Sequence, residues 1–335
     1  MSTESQIPPR SKSPGTAHLA VFAALGVALM VAVWIPTSDQ VIRGWNDFVG
    51  LYAGARLIGT PDQFNLQRQH EEQWRTVGVA GPVFSFTRLP AFAVALRPLT
   101  RLPYQTAYFV WQALSMAALV GFMLLWPTSN RPLLVAICCW FFPLSASFAN
   151  GQDLMFILLF LALGTRCADH WEFGAGIVLG FCALKPHLFV PLPLVLCASK
   201  RWRMLGGMAL TGGFLLAISF LVAGENWIPG YLRLVTSPAI EIEGWEYLPN
   251  IYGIVRHLPH SWILEIILGV ATVTVAIVIA RRCDFRTALE VALVAGFLTG
   301  HHSHVSDLSL LLPAVLELAS RQVPESRPAL LQEPS

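Results

Sequence analysis

Long apolar runs separated by short polar segments dominate the hydrophobic pattern of this chain. A membrane-spanning helix needs about 20 mostly apolar residues, and ten runs approach or exceed that length, although two of them are short. The runs are 17–36, 84–98, 103–126, 132–148, 153–166, 174–198, 204–223, 261–280, 287–301 and 305–320. The pattern therefore predicts an all-α polytopic membrane protein with about ten transmembrane helices.

Two intervals between the apolar runs are long and polar, at about 37–83 and 224–260. Both mix Trp, Tyr and Leu with charged residues, and the stretch NLQRQHEEQWRTVG (65–78) has the character of an amphipathic helix. Aromatic and apolar side chains beside charges are typical of helices that lie on a membrane surface. We therefore expect two long loops that carry interfacial helices.

The ends of the chain differ in composition from the rest. Residues 1–16 are polar and rich in Pro and Ser, which predicts a disordered cytoplasmic tail. The apolar run that follows exceeds the roughly 7–15 residues of a signal-peptide core, so we interpret it as the first span. Residues 17–320 then form a single transmembrane domain, and 321–335 a second cytoplasmic tail.

The basic residues give the expected orientation. Lys and Arg near span ends concentrate on the cytoplasmic side. With the N-terminus inside, the clusters KRWR (200–203) and RRCDFR (281–286) both fall inside, together with Arg97 and Arg101. This predicts a multi-pass protein of a bacterial inner (plasma) membrane, with both long loops and any active site facing the outside.

Composition agrees with a membrane protein. The chain is 55% hydrophobic and 13% charged, with a mean hydropathy of +0.57, whereas a soluble domain carries about 25% charged residues. The net charge of +2 says little about partners, and no nucleic-acid partner is expected. Membrane lipids are the expected surroundings.

An acid stands directly after the first span, in GWNDFVGLYAGARL (44–57). Asp47 can be the N-cap or first-turn acid of a helix, where the helix dipole favours it. It can also be a general base that takes the proton of an incoming hydroxyl. Tyr52 and Arg56 lie on the same segment. The residues alone leave both roles of Asp47 open.

A lysine stands near the middle of an apolar run, in GIVLGFCALKPHLFVPLPLVL (176–196). Burying Lys185 in a bilayer costs about 2.5–3.5 kcal/mol on insertion scales, so it needs an anionic partner. Asp153 or a lipid phosphate can supply that partner, which leaves a structural ion pair and an anion-binding role both open. Pro186 kinks the helix at this point, and His187 follows it.

Two further polar segments interrupt the apolar runs. The segment HHSHVSD (301–307) can be interpreted in three ways. Its histidines and aspartate can be ligands of Zn²⁺, they can contact the substrate, or the segment can be a plain polar loop. We expect no metal. FANGQD (148–153) resembles a polar turn between two helices. Counting spans puts this turn inside, but its short flanking helices would also allow it to dip into the membrane, so its side stays open.

An acid, a membrane-embedded cation and a polar cluster together indicate group transfer from a lipid-phosphate carrier to a hydroxyl. The acid would activate the acceptor, and the cation would stabilise the phosphate as it leaves. No Gly-rich phosphate loop is evident, so neither a nucleotide-sugar site nor a cofactor is expected. A transporter or flippase of an anionic lipid or sugar is the alternative, disfavoured because no inverted repeat is visible. Another lipid-linked transferase is a third option.

Several motifs, in order along the chain, are similar to those of glycosyltransferase family 87, the polyprenyl-phosphate-mannose-dependent mannosyltransferases of the GT-C superfamily. The resemblance covers about 45–315 and departs from the usual motifs in two segments. Arg88-Leu89 stands where Tyr-Pro is usual, and the Gly-Gln-x-Asn element lacks its Asn. The matching segments are DFVGLYAGARL (47–57), FSFTRLPAFAVALRPLTRLP (84–103), GQDL (151–154), ALKP (183–186), KRWR (200–203), PNIYGIV (249–255) and HHSHVSDLSLLLP (301–313).

The resemblance implies a GT-C-like fold and a hexosyltransferase, with mannose the expected sugar and a polyprenyl-phosphate sugar as donor. The acceptor would be a lipid or glycan hydroxyl on the outer face, and the reaction inverting. Asp47 would be the base, Lys185 would lie near the lipid phosphate, and the region of His304 and Asp307 would line the cavity. Further contacts to donor phosphate or substrate are predicted for His187, His302, Tyr52, Arg56, Arg88, Asn250 and Gln152.

Overall fold

The computed structural model describes residues 16–78, 84–237 and 248–322. Within these ranges every regular element is a helix, which confirms the predicted all-helical class. The expected disorder of 1–16 and the tail at 321–335 fall almost entirely outside the described residues. The same applies to 238–247 in the second long loop.

Four helical stretches are long and apolar enough to cross a membrane: Ala17–Leu57, Tyr104–Leu125, Trp202–Ala223 and Ser261–Ala280. A fifth would be the pair Arg131–Trp140 and Phe142–Ala149, bent by 64°, since a proline near the start of its second helix cannot continue the first. The corresponding helices are α1 (Thr16–Trp34), α6 (Tyr104–Leu125), α7 (Arg131–Trp140), α8 (Phe142–Ala149), α13 (Trp202–Ala223) and α16 (Ser261–Ala280). A count of about ten spans stays a prediction.

Shorter apolar helices fill the space between the long ones and build most of the buried core. At about 1.5 Å per residue, none of them alone matches the roughly 30 Å of a bilayer core. They are α9 (Leu154–Cys167), α10 (Glu172–Gly180), α11 (Pro186–Phe189), α12 (Pro191–Ala198), α17 (Phe285–Thr299) and α18 (Leu312–Gln322).

The two long polar intervals contain short helices. The amphipathic stretch 65–78 forms a helix as predicted: the Asn65 side chain caps its start, and Gly78 ends it in the left-handed conformation. Its location on a membrane surface stays a prediction. The helices of these intervals are α2 (Ser38–Ile42), α3 (Asp47–Leu57), α4 (Leu66–Val77), α14 (Trp227–Val235) and α15 (Ile251–Val255).

The predicted span 84–98 is wrong. It forms only α5 (Pro90–Leu96), which is about 10 Å long, followed by a 3-10 turn, Arg97–Arg101. The chain then returns to α3, where the Tyr52 hydroxyl donates to the Leu102 carbonyl at 2.8 Å. A proline stands near the start of each of these two short elements, and proline does not continue a helix from the residues before it. Arg97 and Arg101 therefore lie at the α3 end of the bundle, contrary to the charge count.

The predicted single span 174–198 is also wrong, because the chain reverses within it. Glu172 and Arg201, at its two ends, form an ion pair of 3.3 Å between Oε1 and Nη1. A continuous helix would hold these residues about 40 Å apart. The segment is instead a hairpin in which α10 leads to Lys185 and α11 and α12 lead back. Lys185 thus lies at a tip rather than in mid-span.

The bundle has two distinct ends. At one of them the Arg201 guanidinium lies 4.9 Å from the centre of the Phe285 ring. This contact brings the basic clusters 200–203 and 281–286 together, in line with the charge count. Lys185, at the hairpin tip, lies at the other end with α3. Which end faces the cytoplasm stays a prediction.

Candidate functional site

Asn46, not Asp47, caps α3. The Asn46 side-chain oxygen accepts a hydrogen bond from the Val49 backbone at 3.2 Å, and its amide and the Tyr104 hydroxyl bond one another at 2.9 Å. Asp47 is the first residue of the helix itself. The N-cap interpretation of Asp47 was therefore wrong, whereas its interpretation as a first-turn acid is confirmed. Asn ranks with Asp as a cap, so Asn46 offered the signal. The Asp47 carboxylate is left for other contacts.

The turn 148–153 packs directly against the start of α3. Gly151 has a φ of +64°, and a Cβ built there would lie 2.8 Å from the Phe48 Cβ, so this position favours glycine. The Gly151 carbonyl accepts from the Trp111 indole at 2.8 Å. The backbone thus points Gln152 at α3, so the turn lies at the same end of the bundle as Asp47. The side of the membrane that this end faces stays a prediction.

Gln152 links Asp47 to the lysine at the hairpin tip. Its amide nitrogen donates to Asp47 Oδ2 at 2.6 Å, and its amide oxygen accepts from Lys185 Nζ at 2.7 Å. This orientation of the amide satisfies both neighbours, since a carboxylate only accepts and an ammonium only donates. Among the described residues, Asp47 Oδ1 has no hydrogen-bond partner. One oxygen of Asp47 is therefore held, and the other is available to a hydroxyl.

Lys185 has the anionic partner that its burial required. Its Nζ lies 2.5 Å from Asp307 Oδ1 and 3.8 Å from Asp153 Oδ1, and its side chain is 3% exposed. The sequence had pointed to Asp153 or a lipid phosphate, but Asp307 is the nearer acid. With Gln152 as a further acceptor, Lys185 holds three segments together: the hairpin tip, the 148–153 turn and the 301–307 loop.

Asp153 is paired with a second cation from the segment before α5. Arg88 Nε donates to Asp153 Oδ2 at 2.8 Å and Arg88 Nη2 to Oδ1 at 3.3 Å. Asp153 is fully buried, whereas the Arg88 side chain is 13% exposed. The two residues are 65 positions apart, so nothing in the local sequence indicated that they form a pair.

The cluster holds three acidic side chains, Asp47, Asp153 and Asp307, and two basic ones, Arg88 and Lys185. Two histidines adjoin it: His304 lies within electrostatic range of Asp47, and His187 within range of Asp307. We call these seven residues, together with Gln152, the charged cluster, which therefore has eight members. With neutral histidines its formal charge is −1, so it does not present an excess of positive charge.

The 301–307 loop is anchored from several directions. Asp307 Oδ2 accepts from the His304 backbone at 2.9 Å, and the His304 side chain accepts in return from the Asp307 backbone. His302 bonds the Val235 backbone, and burial lowers its pKa. His301 Nδ1 lies 2.6 Å from Glu265 Oε1. No group of three or more His, Cys, Asp or Glu side chains in the described ranges is arranged to hold a metal ion.

Asn250, predicted to bind substrate, is a buried support of this loop. It is 0% exposed, its amide nitrogen donates to the Gly300 carbonyl at 2.7 Å, and its oxygen accepts from the Gly253 backbone at 2.8 Å. These contacts cap α15 and fix the start of the loop. Asn250 therefore positions the loop that carries His304 and Asp307, and its own side chain faces no open space.

The other residues predicted on α3 are not brought to the charged cluster. Tyr52 is buried and bonds the Leu102 carbonyl, so it joins α3 to the segment after α5. Arg56 lies nine residues beyond Asp47, about 13 Å along the helix. Its Nε pairs with Glu72 Oε1 of α4 at 2.7 Å. Both residues position α3 rather than face Asp47.

Together these features describe a helical membrane protein with charged side chains gathered at one end. The sequence model of glycosyltransferase family 87 matches residues 86–305, about two thirds of the chain. The chain belongs to this family and is thus a membrane glycosyltransferase. No curated protein and no solved structure matches it. The matched range contains Arg88, Gln152, Asp153 and Lys185, whereas Asp307 lies two residues after its end and Asp47 lies well before its start.

Proposed function

We propose that this protein transfers a hexose, with mannose the expected sugar, from a polyprenyl-phosphate sugar to a hydroxyl of a lipid or glycan. The observation that carries the proposal is the geometry of Asp47. Gln152 holds one carboxylate oxygen at 2.6 Å, and the other has no partner among the described residues. In a membrane glycosyltransferase, an oriented carboxylate with a free oxygen is suited to activate an acceptor hydroxyl.

The proposed reaction is a single displacement with inversion at the sugar. The acceptor hydroxyl gives its proton to Asp47, and its oxygen forms a bond to the anomeric carbon. The bond between that carbon and the phosphate oxygen breaks, and its electron pair leaves with the polyprenyl phosphate. A positioned general base contributes typically about 10²–10⁴ in rate. No oxidant, reductant or nucleotide enters this balance.

The donor phosphate needs a positive contact, and Arg88 is the better placed of the two cations. Its side chain is more exposed than that of Lys185, at 13% against 3%. A guanidinium has five N–H donors, of which Arg88 uses two on Asp153 and one on Thr87. Two remain for a phosphate oxygen, where they would stabilise the charge of the leaving group.

Lys185 then has two tasks in the proposal. The sequence expectation was a direct contact with the lipid phosphate, and that contact stays part of the proposal. Its present partners Asp307 and Gln152 support a second task, because Lys185 orients the amide that holds Asp47. The lysine thereby links donor binding to the position of the base.

The test is a transfer reaction with the purified protein in liposomes. Radiolabelled polyprenyl-phosphate mannose is supplied with a membrane glycolipid extract, and polyprenyl-phosphate glucose serves as the competing donor. We expect a new labelled glycolipid and an equal amount of released polyprenyl phosphate, both absent with Asp47→Asn. Movement of the intact donor across the bilayer without a covalent product would overturn the proposal in favour of a transporter.

A further inference from the structure

Basic side chains from two distant segments of the chain meet at the base of the hairpin that carries Lys185. The Ser199 hydroxyl donates to the Ala280 carbonyl at 3.1 Å, so the segments that follow these two residues adjoin one another. Four cations on the two segments are exposed to solvent. We call them the basic patch: Lys200, Arg203, Arg281 and Arg282.

The cations of the basic patch form no ion pair with any residue that the structure describes. Their neighbour Arg201 differs, because it pairs with Glu172 at 3.3 Å. One acid, Asp284, lies on the second segment, and its carboxylate already accepts from the Thr287 backbone at 3.2 Å. The patch therefore carries an excess of positive charge, which an external anion would balance.

Lys200 has a backbone conformation that favours glycine. Its φ is +59°, in the left-handed region, and it follows the residue that caps the end of α12. Across this turn the Arg201 backbone N–H donates to the Leu196 carbonyl at 2.9 Å. Glycine is the usual residue at such a helix end, because a Cβ crowds the left-handed backbone. A lysine at a position where glycine would be more stable points to a function of its side chain.

The basic patch lies where phospholipid headgroups would meet the protein. Trp202 is the first residue of α13 and Ala280 the last of α16, and both helices are long and apolar enough to cross a membrane. The Trp202 side chain is 62% exposed, as is typical of an aromatic residue at a membrane interface. The cations therefore stand directly beyond the ends of two spans, at the level of lipid phosphates.

An exposed apolar strip leads away from the basic patch along α12. This helix has 8 residues, and it packs against both α13 and α16, which have 22 and 20. Val190, Leu194 and Cys197 are exposed and lie on one face, at spacings of four and three residues. The strip ends three residues before Lys200. Apolar side chains that lead to unpaired cations complement an acyl chain that leads to an anionic headgroup.

From this arrangement we propose that the basic patch and the exposed strip of α12 bind an anionic phospholipid. Its phosphate would lie on the patch and an acyl chain along the strip. Because α12 is the returning limb of the hairpin that carries Lys185, a bound lipid would hold the base of that hairpin against α16. The proposal is independent of the transfer function, in which neither the patch nor the strip takes part.

The test uses Cys197, which lies on the strip, as a reporter in the full wild-type chain in detergent. Alkylation of Cys197 by N-ethylmaleimide is followed by peptide mass spectrometry, with Cys139 of α7 as the internal reference. The added lipids are dioleoylphosphatidylglycerol and dioleoylphosphatidylcholine, which share acyl chains and differ in net charge. We expect the anionic lipid to protect Cys197 at a concentration about tenfold or more below that of the zwitterionic lipid, and neither lipid to change the relative rate at Cys139.

A double variant, Lys200→Gln with Arg281→Gln, tests the basic patch. Each basic residue beside an anionic lipid contributes about fivefold in affinity, so half-protection of Cys197 should need about 25-fold more phosphatidylglycerol. The matched control is Arg97→Gln with Arg101→Gln, which removes two exposed arginines at the other end of the bundle. This control should stay within about twofold of wild type, because its charges lie away from the strip.

Lys200→Gly separates lipid binding from folding. Glycine suits the left-handed turn, so the Tm of this variant without lipid should equal or exceed that of wild type. Its half-protection should nevertheless need about fivefold more phosphatidylglycerol. Equal protection of Cys197 by the two lipids, or by glycerol phosphate at the same concentration, would overturn the proposal. Wild-type protection in the double variant or in Lys200→Gly would overturn it as well.

Discussion

Arg88 and Asp153 meet in a two-pronged ion pair, Nε to Oδ2 at 2.8 Å and Nη2 to Oδ1 at 3.3 Å. The pair joins the two segments in which this chain departs from the usual motifs of its family. The arginine stands in a segment where Tyr-Pro is usual, and the acid in a Gly-Gln element that lacks its Asn. The two departures therefore form one structural unit.

This pairing predicts strong coupling between the two positions. Either Arg88→Gln or Asp153→Asn alone leaves a buried charge without its partner, which costs about 3–5 kcal/mol. The double variant removes both charges and should recover much of that loss. Thermal unfolding of wild type, the two single variants and the double variant in detergent gives the coupling free energy between the two positions. Additive losses in the double variant would show that the pair does not form.

A second prediction concerns Lys185 and Asp307, which are 2.5 Å apart and almost fully buried. Lys185→Met leaves the Asp307 carboxylate unpaired, so the free energy of unfolding should fall by about 3–5 kcal/mol. The yield of folded protein should fall with it. Adding Asp307→Asn should restore folding but not transfer, because Gln152 would no longer be oriented. Folding is followed by thermal unfolding and transfer by product formation. Full activity of the double variant would contradict the positioning role of the lysine.

A third prediction uses two glycines in opposite settings. In Gly151→Ala an alanine has to adopt the left-handed backbone conformation, and its Cβ lies 2.8 Å from the Phe48 Cβ. The free energy of unfolding should therefore fall by about 2 kcal/mol or more. Gly212 lies in α13, and a Cβ there meets nothing within 4 Å. Gly212→Ala should therefore leave stability unchanged or raise it by about 0.5–1 kcal/mol. Equal thermal unfolding of the two variants would show that the turn is not constrained as described.

A fourth prediction tests the corrected path of the chain around α5. Single cysteines at Leu99, His301 and Trp202 are introduced into a variant whose six native cysteines are alanine. A membrane-impermeant maleimide applied to spheroplasts should label the first two alike and spare the third, because residues 97–101 and 301–307 lie at one end of the bundle. If positions 99 and 202 were labelled alike and position 301 were not, residues 84–98 would cross the membrane and the corrected path would be wrong.

The helical class, the amphipathic helix of the first long loop and seven of the eight residues of the charged cluster could be predicted from the sequence, although as separate sites. Asp47, Lys185, His304 and Asp307 stood out because an ionisable group beside apolar runs is costly. The sequence did not give the reversal at Lys185. An apolar run of 25 residues has the same composition whether it crosses a membrane once or turns back within it.

The sequence indicated the contact of Lys185 with Asp153 but not the pairs that Asp307 and Arg88 form. Arg88 and Asp153 are 65 residues apart, and no periodicity relates them. That Asn46 rather than Asp47 caps α3 depends on a tertiary contact, the hydrogen bonds between Asn46 and Tyr104. Either neighbour can cap a helix by propensity. Only the packing of α3 against α6 decides which of them is left to face Gln152.

The most direct test of the account is the transfer rate of Asp47→Asn, with Asp39→Asn as a matched control. Asp39 is an exposed acid of α2 that pairs with Arg43, away from the charged cluster. With the donor at saturation, Asp47→Asn should lower product formation by about 10²–10⁴, since the amide cannot take the proton of the acceptor hydroxyl. Its thermal unfolding should match wild type, and Asp39→Asn should be fully active. Turnover by folded Asp47→Asn within a few-fold of wild type would contradict the assignment of Asp47 as the base.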